Sequence, residues 1–68
     1  MNKEVFSAFV TNLRKEAGMT QKQVANKLQV TDRAVSKWER GLSYPDITLM
    51  EPLSVVLGIS VEELLTCQ

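Results

Sequence analysis

The residues able to do chemistry in this 68-residue chain are few and of one kind. Histidine is absent and there is a single cysteine, Cys67. A Ser–His or Cys–His couple is therefore excluded. One thiol among scattered carboxylates makes neither a metal cage nor a nucleophile–base pair, so no enzymatic activity, metal or cofactor is expected. What remains is cationic. Residues 11–40 carry Arg14, Lys15, Lys22, Lys27, Arg33, Lys37 and Arg40 against Glu16, Asp32 and Glu39, a net +4. Residues 41–68 carry Asp46, Glu51, Glu62 and Glu63 and no cation, a net −4. The formal net charge of zero thus hides a basic middle and an acidic tail, and the middle is where an anion would be met.

Within that basic segment, Arg33, Ser36, Lys37 and Arg40 recur three and four residues apart. On a helix they share one side, opposite Val35 and Trp38, with Asp32 at its start. Arg33 and Lys37 are able to donate to guanine O6 and N7, and Asp32 to accept from cytosine N4, if the N-terminal part of such a helix enters a major groove. The same stripe is also what a merely solvated helix face presents. Trp38 would suit a stacking platform for single strands, but its spacing from Val35 places it in a core.

Helices must position these residues, because 3.6-residue periodicity dominates and no strand or hairpin pattern occurs. Val5, Phe6, Phe9, Val10 and Leu13 form the stripe of a first helix, which Gly18 stops after Ala17. Thr20 with Gln23 reads as a capping box opening a second helix, with Val24, Ala25 and Leu28 on its inner face. Thr31 caps a third, with Asp32 in its first turn and Gly41 beyond its end. The link Gln29-Val30 is so short that the second and third helices must cross steeply. Ala25 permits their close approach, and Val24, Leu28, Val30, Val35 and Trp38 converge on one core.

Tyr44 precedes Pro45 and is expected to be extended. Asp46 caps a fourth helix with Ile47, Met50, Leu53, Val56 and Leu57 as its stripe, ending at Gly58. Pro52 removes a donor and opposes the carbonyl of Thr48, so a kink or an irregular first turn is expected there. Ser60 caps a short fifth helix holding Val61, Leu64 and Leu65. The length suits a single domain over 1–68. No uninterrupted apolar run exceeds three residues (Val55, Val56, Leu57), too short to cross a membrane. The first residues lack the basic-then-apolar plan of a signal peptide. A lone cysteine builds no disulfide framework, which suits the cytoplasm.

Four separated motifs now come together: Thr20-Gln21-Lys22-Gln23-Val24-Ala25, Val35-Ser36-Lys37-Trp38-Glu39-Arg40-Gly41, Pro45-Asp46-Ile47 and Leu57-Gly58-Ile59-Ser60. In this order and spacing the chain resembles helix-turn-helix regulators of the phage-repressor and Cro (XRE-like) type over roughly residues 5–65. The resemblance implies an all-α, compact, five-helix lambda-repressor-like DNA-binding domain, with the helix-turn-helix at about 20–41. It implies a homodimer on a pseudo-palindromic double-stranded DNA operator, acting as a transcriptional repressor. An end at about 58–68 is where dimerisation is expected, through Val61, Leu64 and Leu65. A two-fold dimer would set two recognition helices about 34 Å apart.

Carried over by position, Asp32, Arg33, Ser36 and Lys37 match the base-facing places. Gln21 matches a phosphate-contacting place, joined by Lys22 at the start of the second helix, where free N–H groups attract phosphate. Arg40, Ser43 and Tyr44 match the loop that faces the DNA backbone, with Lys15 and Lys27 as looser candidates. Arg14 and Glu39 match a structural ion pair. Gln29 departs from the pattern, since the resemblance places glycine at this turn; a positive φ there costs on the order of 1 kcal/mol. A different use of the same fold is a protein-interaction module, an antitoxin or adaptor, working through the acidic half and the terminal leucines.

Overall fold

The computed structural model describes residues 2–67. Its helices are α1 (Lys3–Glu16), α2 (Gln21–Leu28), α3 (Asp32–Glu39), α4 (Met50–Leu57) and α5 (Val61–Thr66), with a 3₁₀ turn at Ile47–Leu49 preceding α4. Among the described residues there is no strand.

The caps follow local chemistry. Thr20 Oγ1 accepts from the Gln23 N–H at 3.1 Å, and Gln23 Oε1 accepts from the Thr20 N–H at 2.8 Å. This is the anticipated reciprocal box, which satisfies two donors that a helix start leaves free. Thr31 Oγ1 accepts from the Ala34 N–H at 3.1 Å, opening α3. Ser60 and Glu63 make a second box on α5. Asn2 caps α1, its Oδ1 accepting from the Val5 N–H at 2.8 Å; the sequence expectations assigned no cap there.

Pro52 shows its effect as expected. The segment after Asp46 winds first as a 3₁₀ turn, and regular helix begins only at Met50. Pro52 then lies in the first turn of α4, where N–H groups have no intrahelical acceptor and its missing donor costs little. Asp46 caps the 3₁₀ turn, its Oδ1 accepting from Thr48 N at 2.9 Å and Thr48 Oγ1 at 2.8 Å. Those two bonds hold its carboxyl below the usual carboxylate range.

One core joins the five helices. Phe6 and Val10 from α1, Val24, Ala25 and Leu28 from α2, Val35 and Trp38 from α3, Met50, Leu53 and Leu57 from α4, and Leu64 from α5 are all buried. Val30, Phe9 and Leu13 pack partly against it. The expected stripes err at their ends. Ile47 is 76% exposed, because the α-helical period of that stripe starts only at Met50 and the 3₁₀ turn before it has another period. Val5 is also exposed, whereas Val56 packs partly against the core and Val55, outside the expected stripe, is 73% exposed.

The turn between α2 and α3 rests on Gln29, at φ 58 and ψ 40. In this left-handed conformation the Val30 N–H reaches the Ala25 carbonyl at 3.0 Å, closing α2. Gly58 closes α4 the same way, at φ 75 with the Ile59 N–H on the Ser54 carbonyl. Two equivalent bends thus use different residues, and only glycine adopts the conformation without a Cβ penalty. Gln29→Gly is therefore expected to keep the fold with a melting temperature equal to or above that of the parent chain. A clear fall in melting temperature would show that the Gln29 side chain contributes more than its backbone strain costs.

Candidate nucleic-acid interface

The α2–α3 unit is built from the inside outward. Val35 and Trp38 anchor one side of α3 in the core, so the opposite side is forced toward solvent. That outer side presents Arg33 and Lys37, both exposed, with Ser36 half-buried between them and Asp32 exposed at the helix start. Four residues of helix separate the two cations by about 6 Å along the axis, within the reach of adjacent base pairs. Among the described residues neither cation is held in an ion pair. The four positions expected to face bases are thus brought onto one surface.

The positions expected to face the DNA backbone divide. Lys22 is exposed in the first turn of α2, where the helix presents its free N–H groups. Arg40 folds back on α3, its Nε donating to Ser36 Oγ at 3.1 Å and Ser36 O at 3.4 Å. Gly41, at φ 72, ends the helix with the Leu42 N–H on the Lys37 carbonyl at 2.9 Å. A Cβ at Gly41 would lie 3.7 Å from the Lys3 carbonyl oxygen, so the loop runs close to the start of α1. Ser43 and Tyr44 are both half-buried in that loop. The Tyr44 ring stands edge-on to Phe6, with centroids 5.3 Å apart and planes at 72°. Lys3 Nζ lies 5.9 Å from the Tyr44 ring centroid. Lys3 drew no attention in the sequence, because residues 1–10 are neutral in sum; only the fold brings it to this loop.

The ion pair between α1 and α3 is present. Arg14 Nε donates to Glu39 Oε2 at 2.7 Å and Arg14 Nη2 to Glu39 Oε1 at 3.0 Å, a bidentate fork. Arg14 Nη1 donates to the Met19 carbonyl at 2.9 Å. The two side chains are only 13% and 5% exposed. The Gln21 amide adds a further bond, its Nε2 donating to Glu39 Oε1 at 3.1 Å. Nothing in the spacing of Gln21, expected at a phosphate, announces Glu39, which lies 18 residues on.

Burial pushes the Glu39 carboxyl upward. The hydrogen bonds from Arg14 and Gln21, the Arg14 charge and a bond from Thr11 outweigh it and leave the carboxyl below its ordinary value of 4.5. The bond to Glu39 raises Arg14 correspondingly, against the opposing effect of burial. A lowered carboxyl contributes stability that is fully present above the unfolded value and is lost as pH falls through the folded one. The melting temperature of the parent chain is therefore expected to fall below pH 4.5 more steeply than that of Glu39→Gln. Parallel profiles for the two proteins would remove this contribution.

Comparison with known proteins agrees with this geometry. A helix-turn-helix family model matches residues 10–64. The HTH-type transcriptional activator BcrR of Enterococcus faecalis is 34% identical over 61 residues, covering 90% of this chain and 30% of that protein. The clp gene regulator ClgR from Corynebacterium glutamicum superposes with a TM-score of 0.84 at 26% identity, covering 94% of this chain and 68% of that one. ComR from Streptococcus suis gives 0.83 at 31% identity, over 94% of this chain and 21% of that one. Hydroxypropylphosphonic acid epoxidase from S. wedmorenis gives 0.82 at 25% identity, over 93% of this chain and 34% of that one. The chain spans less than a third of the length of BcrR. With the motifs, the packed α2–α3 unit and the matched residues in agreement, the chain belongs to the helix-turn-helix family.

Proposed function

We propose that the chain is a single domain that binds double-stranded DNA in a sequence-specific manner and regulates transcription from the cytoplasm. In this reading α3 is the recognition helix. Asp32, Arg33, Ser36 and Lys37 face base edges, and Gln21, Lys22, Arg40, Ser43 and Tyr44 face phosphates. The observation that carries the reading is the exposed Arg33–Lys37 face on a helix whose other side is locked into the core. BcrR is called an activator and ClgR a gene regulator; repression, the direction expected from the resemblance, is one of two directions open to such a domain. A homodimer on a two-fold operator remains part of the proposal, joined through the end at about 58–68, which holds α5. Leu64 is buried there, so Val61 and Leu65 are what α5 offers a partner.

The acidic half matters as well. All four of its carboxylate residues lie after α3, and a duplex against α3 would repel them. Non-specific affinity should therefore be modest, and binding should depend on sequence more than on bulk charge. The direct test is retention on random duplex DNA at low salt. The expected result is weak retention that falls steeply as salt is added. Absence of retention, with capture of a protein partner through the acidic face, would favour the adaptor reading.

A further inference from the structure

The Gln21–Glu39 bond joins the two halves of the proposed interface. Gln21 is the first residue of α2, half-buried, on the turn expected to approach phosphate. Glu39 is the last residue of α3, and its carboxylate is nearly enclosed. Oε1 of that carboxylate accepts from both Gln21 Nε2, at 3.1 Å, and Arg14 Nη2, at 3.0 Å. Arg14 in turn holds the Met19 carbonyl, on the segment just before α2. A closed ring of contacts thus runs from α1 through the α1–α2 link to the start of α2, across to the end of α3, and back to α1. Trp38, beside Glu39 in sequence, is buried in the core.

We infer that Gln21 is a positioning residue that fixes the seat of α3 through Glu39, in addition to the phosphate contact proposed for it. An amide nitrogen carries two donors. One is held by Glu39, which leaves a single N–H for a phosphate oxygen. A phosphate bound there and the carboxylate that seats α3 therefore share one rigid amide group. Engagement of the DNA backbone at α2 and alignment of the Arg33–Lys37 face at α3 become coupled through it. A residue that touches phosphate alone affects all sequences alike, whereas one that aligns the recognition helix affects the preferred sequence most.

This inference rests on the reading of α3 as a recognition helix, and its test separates the two. Amide hydrogen exchange on the free chain is followed for Gln21→Met, which keeps length and loses the donor, and for Gln21→Lys, which restores a donor. Exchange in the last turn of α3 is expected to speed up by about fivefold or more in Gln21→Met while α4 is unchanged, and to return toward the parent rate in Gln21→Lys. Unchanged exchange in α3, or equal acceleration in α3 and α4, overturns the positioning role. On DNA, Gln21→Met is expected to weaken the preferred duplex about tenfold more than random duplex. Equal weakening of both reduces Gln21 to a phosphate contact and also overturns the inference. If the parent chain fails to bind duplex DNA, the recognition reading falls, and the exchange experiment still decides the link to Glu39.

Discussion

Arg14→Ala is expected to cost about 3–5 kcal/mol of folding stability, since it leaves an enclosed carboxylate without its cation. Glu39 would keep only the Gln21 and Thr11 bonds, and the Met19 carbonyl would lose its donor. A domain of this length is stable by roughly 3–10 kcal/mol, so the variant lies near the edge of unfolding. The melting temperature should drop by roughly 15–30 °C, given the entropy of unfolding of small domains. Circular dichroism at several temperatures measures this directly. A change within about 2 °C would show that the fork contributes nothing net, as exposed ion pairs often do. The double variant Arg14→Met/Glu39→Leu separates charge from bulk. Well-packed apolar replacements of a buried pair are often neutral or stabilising, so this variant should melt well above Arg14→Ala.

The second large effect concerns binding. Lys37→Ala should cost roughly 1–3 kcal/mol on the preferred duplex if the side chain reads a base edge, and should relax the sequence requirement at one position. Stability should hardly change, because Lys37 is exposed and among the described residues has no ion-pair partner. Lys22→Ala is the contrasting case. Its loss should weaken preferred and random duplex equally and lower the slope of log K against log salt by about 1. If both variants act equally on both duplexes, base reading does not reside at Lys37, and the division of roles between α2 and α3 fails.

How much of this was legible in the sequence depended on the range of the interactions. Caps at Thr20, Thr31 and Ser60 depend on side chains reaching backbone three residues away, and they were placed correctly. The irregular turn before Pro52 followed from ring geometry alone. The positive φ at Gln29 is implied by the resemblance, which places glycine at that turn, and not by residue spacing. What failed was local too: Ile47 was put in a stripe because a change of helical period at Met50 leaves no mark in residue spacing. The Arg14–Glu39 fork spans 25 residues, and it came from resemblance to a family, since periodicity cannot pair residues on different helices. The Gln21–Glu39 bond and the approach of Lys3 to Tyr44 had no sequence signal. Both depend on how helices dock, which is set by the core and not by the residues that end up in contact.

Net charge shows the same division. Zero formal charge argues against a nucleic-acid partner only if charge is evenly spread. Here the fold concentrates two exposed cations on α3 and leaves the segment after it acidic. In the proposed function, such a surface would select by local complementarity more than by total charge.

Selection of binding sites from a pool of random duplex DNA decides whether α3 reads sequence. The expected result is enrichment of a short motif, present as two inverted half-sites whose centres lie about one helical turn apart. Recovery of sequences with no shared motif, at affinities equal to those of the starting pool, would contradict it.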